Sequence, residues 1–209
     1  MRIHWFGNPW LDTSLQVAEH IIAANQAAVS AWSPLQTNGQ EAGDEDENNK
    51  QRVVERIEPE AELSEWDAEG TASEPGALSV GDSFEFSKTI TEADVERFAA
   101  ATGDTNPLHL DEDFAEETRF RGQIVHGTLA GGLISAALAR VPGLVVYLSQ
   151  DLEFHNPVRI DDRLTAECDV VEDFGNDQYR LNTRVLNIGE VTIDGEAVIL
   201  IDDPPKGDT

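Results

Sequence analysis

A carboxylate and an imidazole stand five positions apart in Gly103-Asp104-Thr105-Asn106-Pro107-Leu108-His109. Converging on one water, such a pair could remove its proton and return one to a carbon, which is general acid/base catalysis. On an uninterrupted helix, residues five apart diverge by about 140° and could not converge. Pro107 forbids that continuation and pushes Asn106 toward extended backbone, so the chain must bend and the two side chains can face each other. The alternative is an Asx turn at Asp104 and a histidine that merely covers a helix end, since short patterns arise by chance.

The elements that would position this pair lie between Leu78 and Asp203, a stretch of ordinary single-domain size. Phe84 and Phe86 alternate with Glu85 and Ser87 as a first strand, and Thr91 to Ala101 reads as a helix with Thr91 as N-cap and Asp94 three residues on. His126 to Arg140 is a second helix, so uniformly apolar that it must be wrapped on most sides. Four strand patterns follow: Leu144 to Phe154, Leu164 to Val171, Tyr179 to Asn187 and Val191 to Ile201. One buried helix followed by an antiparallel meander predicts an α+β domain with a curved sheet folded around that helix.

Upstream, Leu11, Leu15, Ala18, Ile22, Asn25, Val29 and Trp32 recur at alternating spacings of four and three, the seam of an N-terminal amphipathic helix within residues 1–35. That seam packs on its own domain or docks on a partner helix, a second copy or an apolar particle. Residues 36–77, with the run Asp44-Glu45-Asp46-Glu47, have the composition of a disordered acidic linker, interrupted by Val53, Val54, Ile57, Leu63 and Trp66 as one short docked helix.

The chain of 209 residues carries 41 acidic and 14 basic side chains, a net charge of −27. Such a surface repels nucleic-acid phosphates and anionic membranes. With lysine confined to Lys50, Lys88 and Lys206, the acidity fits a high-salt cytoplasm, where self-repulsion is screened. No apolar run reaches the roughly 20 residues of a membrane span, and no export signal is legible, so a cytoplasmic location is expected. Cys168 is the single cysteine and, lying in an alternating strand pattern, reads as a small buried residue. No three-ligand metal cluster is apparent, and neither a metal nor another cofactor is expected.

Four stretches, Phe98 to Ala115, Ile124-Val125-His126-Gly127, Ser135 and Phe154-His155-Asn156-Pro157-Val158, resemble the MaoC-like dehydratases, the (R)-specific enoyl-CoA hydratases. The resemblance covers about Leu78 to Ile201, with Ala101 departing from the larger aliphatic usual there. It implies a hot-dog fold, usually dimeric, that hydrates trans-2-enoyl-CoA to the (R)-3-hydroxyacyl-CoA. Asp104 would then act as base and His109 as water-holder and proton donor, with the group that protonates carbon left open. Ser135 and Asn106 would support them from behind. The amide of Gly127, at a helix N-terminus, would accept charge developing on the thioester oxygen, although a plain turn residue is the alternative. His126 is expected to be a helix-start residue only.

Arg119 and Arg121 are candidates for the phosphates of coenzyme A, and Arg159 and Arg163 are weaker ones, each an ordinary surface ion pair otherwise. The (R) product is a monomer for polyhydroxyalkanoate synthesis, so residues 11–32 could place the enzyme on a granule or against its synthase. The rival reading is a non-catalytic hot-dog module that tethers partners. A thioesterase on this fold would lack the Gly-Asp-x-Asn-Pro-x-His arrangement.

Overall fold

The computed structural model describes residues 66–72 and 78–202, so the helix expected at 11–32 and most of the linker lie outside the described residues. Seven strands form one antiparallel sheet: β1 Trp66–Gly70, β2 Ser83–Thr89, β3 Leu144–Gln150, β4 Glu153–Phe154, β5 Arg163–Gly175, β6 Gln178–Asn187 and β7 Glu190–Asp202. Their order is β1-β2-β5-β6-β7-β3, with β4 also on β7. Among the described residues, four helices precede the meander: α1 Glu92–Thr102, α2 Pro107–Leu110, α3 Glu112–Glu117 and α4 Gly127–Leu138. The long helix α4 packs on β2, β5 and β6, which is the hot-dog arrangement.

Period-2 patterning explains which face of the sheet meets α4. Phe84 and Phe86 pair with Cys168 and Ala166 across β2 and β5, and these side chains join Ile134, Leu138, Leu181, Val185, Ile193 and Ile199 in the core. Burial, with Asp169 and Glu167 nearby, pushes the Cys168 thiol up to about 12, so it is a packing residue rather than a nucleophile.

Two expectations are corrected. Residues 66–70 are not linker or helix but an edge strand in register with β2; Trp66 packs on Phe86 with ring centroids 5.8 Å apart, and pairing supplies what the acidic local sequence does not. The strand expected over 144–154 breaks after Gln150, where Gly195 of β7 lets the chain pass: a Cβ there would lie 1.9 Å from the Asp151 carbonyl oxygen. The apolar helix α4 is wrapped where it meets the sheet and leaves one face uncovered within one chain. Ala130, Leu133, Ile134, Ala137 and Leu138 are buried, but Thr128, Gly132, Ser135 and Ala139 face outward.

Candidate active site

The site is built at the end of α1. Thr91 and Asp94 cap that helix reciprocally, which fixes its start, and Gly103 ends it at φ 80° with its N–H on the Ala99 carbonyl at 2.8 Å. Glycine reaches this left-handed conformation without the Cβ cost other residues bear. Asp104 follows, its carboxylate accepting the Asn106 N–H at 3.4 Å. Asn106 stands at ψ 126°, extended as Pro107 requires, and caps α2 through the Leu108 N–H at 3.1 Å. The Asx turn and the convergence are thus not alternatives; one bend makes both.

The bend turns His109 inward, where 9% of its surface remains exposed, while Asp104 stays exposed. His109 Nδ1 lies 2.7 Å from the Ile124 carbonyl oxygen. A carbonyl can only accept, so Nδ1 carries a hydrogen, and in the neutral ring Nε2 keeps the lone pair. One ligand-type atom from each of Asp104, His109 and His126 lies within 4.8 Å of the other two. A water making two hydrogen bonds of about 2.8 Å at a tetrahedral angle spans roughly 4.6 Å, so the carboxylate and the imidazole stand at a separation one water can bridge.

His126 has a larger part than its expected one. It is 1% exposed, its ring stacks on His109 with centroids 3.9 Å apart, and its Nε2 donates to the Asp104 carbonyl oxygen at 3.0 Å. It therefore ties the bend carrying Asp104 to the start of α4. Its proximity to the pair could have been anticipated only from tertiary structure, since 22 residues separate it from Asp104.

The structure thus gathers three potential metal ligands where the sequence suggested none. The two ring planes are inclined by only 30° and stacked, so their in-plane lone pairs do not meet at one point about 2.1 Å from each nitrogen, as a zinc ion would require. The arrangement suits a held water better than a metal. A second group, Glu153, His155 and Asp194, is solvent-facing, with His155 Nε2 2.7 Å from Asp194 Oδ1.

A cavity of about 300 Å³ reaches His109 and Gly127 together, lined also by Arg119, Phe120, Ile124, Val125, Ala130, Phe154, His155, Asn156, Pro157, Val158 and Ile193. Gly127 opens α4, where N–H groups have no intrahelical acceptor, and a Cβ on it would sit 2.7 Å from the Phe154 ring. A second cavity, about 390 Å³, touches His109 from the α1 side past Val95, Ala99 and Thr105.

The remaining candidates divide. Arg119 lies over the Phe120 ring and lines the first cavity, whereas Arg121 sits at φ 56° in the turn after α3 and lines neither. Arg163 pairs with Asp67. Arg159 is neither a surface ion pair nor a rim cation: its guanidinium donates to the carbonyls of Phe120, Gly122 and Gln123. Ser135 is exposed on α4, and among the described residues no side-chain hydrogen bond joins it to Asp104 or His109.

The chain is similar to several known proteins. An (R)-specific enoyl-CoA hydratase from Rhodospirillum rubrum is 40% identical over 130 residues, 61% of this chain and 89% of the relative. A 3-hydroxybutyryl-CoA dehydratase from Methylorubrum extorquens is 40% identical over 134 residues, 63% of this chain and 85% of the relative. The crystal structure of an (R)-hydratase from Aeromonas caviae involved in PHA biosynthesis superposes with a TM-score of 0.59 at 37% identity, covering 61% of this chain and 99% of that one. The MaoC like domain profile matches residues 77–193, and the chain belongs to that family.

Proposed function

We propose that this protein is a hydro-lyase that reversibly adds water across the double bond of a trans-2-enoyl-CoA, giving the (R)-3-hydroxyacyl-CoA. The observation that carries the reading is the approach of Asp104 and His109 within 4.8 Å, beside a cavity shared by His109 and the first amide of α4. The names of the relatives support the substrate class and the hand of the product.

His109, with its Nδ1–H committed to Ile124, accepts at Nε2 a hydrogen bond from one O–H of the water, and that hydrogen stays on the oxygen. Asp104 takes the other hydrogen as a proton. The water oxygen bonds to C3, the double-bond electrons move toward the thioester oxygen, and the Gly127 N–H at the positive end of α4 receives that charge. Neutral His109 has no hydrogen to give at Nε2, so the Asp104 carboxyl returns the proton to C2. The water is thereby divided between C3 and C2 and both residues regain their starting state. Arg119, which lines the cavity, would meet a phosphate of the coenzyme.

The exposed face of α4 and the edge strand β3, with Val146 and Tyr147 outward, support a homodimer in which a second copy covers both. The pathway reading is a cytoplasmic supply of monomer for polyhydroxyalkanoate synthesis, with residues 11–32 recruiting the enzyme to a granule or synthase. Mixing crotonyl-CoA with the protein in concentrated salt tests the activity directly. Enoyl absorbance falls to an equilibrium value, and the product is oxidised by an (R)-specific dehydrogenase; unchanged absorbance with crotonyl- and hexenoyl-CoA alike would rule out catalysis and leave a tethering module.

A further inference from the structure

Arg159 is unusual among the arginines of this acidic chain. Arg163, Arg180 and Arg184 each reach a carboxylate, but the hydrogen bonds of the Arg159 guanidinium among the described residues go to main-chain carbonyls. Nη1 donates to Gly122 at 2.9 Å and to Gln123 at 3.1 Å, and Nη2 donates to Phe120. Its own N–H is fixed by Asp162 at 2.7 Å, and Asp162 also accepts from the Asn187 side chain at 2.7 Å. The backbone at Arg159 is therefore anchored through Asp162 to Asn187 of β6.

The loop it grips leads directly to His109. Val125 N–H donates to the Val158 carbonyl at 2.8 Å, one residue before Arg159. The Ile124 carbonyl between these attachments holds His109 Nδ1 at 2.7 Å, and the Gln123 side chain reaches the His109 carbonyl at 3.3 Å. The loop makes a sharp turn, with Arg121 at φ 56° and Gly122 at φ 141°, and a planar five-donor fork can hold several carbonyls in one such turn where an ammonium cannot.

We infer that Arg159 is a positioning residue for His109: it fixes the 120–124 loop so that the Ile124 carbonyl selects the Nδ1–H form of the imidazole and leaves Nε2 facing the water. The inference rests on the hydratase reading for its kinetic consequence, but not for its structural one. Residues that orient the partner of an active imidazole typically change activity 10- to 100-fold when replaced.

The test compares wild type with Arg159→Met and Arg159→Lys, using crotonyl-CoA, the phosphate-free thioester crotonyl-pantetheine, and ¹⁵N-histidine NMR, with His109→Gln assigning the signal. Expected are a kcat lowered about 10- to 100-fold in Arg159→Met, KM within about threefold for both thioesters, a smaller loss in Arg159→Lys, and appearance of the Nε2–H form of His109 in the variants. A KM raised for the coenzyme A thioester alone would make Arg159 a phosphate ligand and overturn the inference, as would unchanged kcat with an unchanged tautomer. Should Arg159→Met not fold, Arg159→Lys and the wild-type spectrum decide, and a wild-type His109 protonated at Nε2 overturns the inference. Wild-type protein without hydration activity would refute the hydratase reading alone, leaving the tautomer comparison to judge Arg159.

Discussion

The imidazole of His126 lies against that of His109, centroids 3.9 Å apart, while its Nε2 holds the carbonyl of Asp104 at 3.0 Å. One buried ring therefore touches both members of the proposed acid/base pair, one by stacking and the other by a hydrogen bond to its backbone. Replacing His126 by Phe keeps a ring against Phe98 and His109 but loses the hydrogen bond. A net loss of about 1 kcal/mol in stability is expected, with kcat down about 10²-fold from a displaced Asp104. Urea unfolding and steady-state kinetics read the two effects separately, and a variant with wild-type kcat would remove the positioning role.

Asp104 is exposed and its carboxylate makes one long bond, to the Asn106 N–H at 3.4 Å. Asp104→Asn keeps the turn, so stability should stay within about 0.5 kcal/mol, while loss of the proton-transferring group lowers turnover by about 10²- to 10⁴-fold. Near-normal hydration by this variant would refute the assignment.

Burial pushes the Asp94 carboxyl up, but the Lys88 ammonium at 2.9 Å and the N–H and hydroxyl of Thr91 outweigh it, holding the group below its ordinary value of 3.8. A carboxyl depressed in the folded state binds fewer protons there than when unfolded. Its contribution is therefore fully present above the ordinary value and is lost as pH falls through the depressed one. The stability gap between wild type and Asp94→Asn should be constant from about pH 5 to 7 and close below about pH 4; a gap that persists at low pH would show that packing, not charge, sets it.

The β6–β7 hairpin turns through Ile188 at φ 49° and Gly189 at φ 81°, and Ile188 is 94% exposed. A β-branched residue in the left-handed region costs about 1–2 kcal/mol, and two-residue turns of this kind favour Asn-Gly. Ile188→Asn should add about 1 kcal/mol, roughly 4 °C in Tm, read by calorimetry with unchanged activity.

With 41 acidic against 14 basic side chains, self-repulsion acts over about 10 Å at 0.1 M salt but only about 3 Å at 1 M. The melting temperature should rise steadily with KCl across that range. A salt-independent Tm would dissociate the acidity from any adaptation to brine.

What the sequence made legible is what is encoded locally. The Thr91–Asp94 cap, the proline bend after Asp104 and the alternation of β5 to β7 each depend on neighbours a few positions away, and each appears near its expected place. The parts it concealed depend on long-range partners. Trp66–Gly70 is a strand because β2 offers an edge to it, and Arg159 is spent on a loop 36 to 39 residues upstream.

The N-cap and the first residue of α4 stand side by side at the proposed site: His126 holds the bend that carries Asp104, and Gly127 offers the amide proposed to meet the thioester. Because they are consecutive, a slide of the helix along its axis, set by how Ile134 and Leu138 seat in the sheet, displaces both together. Tuning the floor of the core therefore detunes water activation and carbonyl polarisation in concert, and substitutions at the two ends of that coupling will combine non-additively.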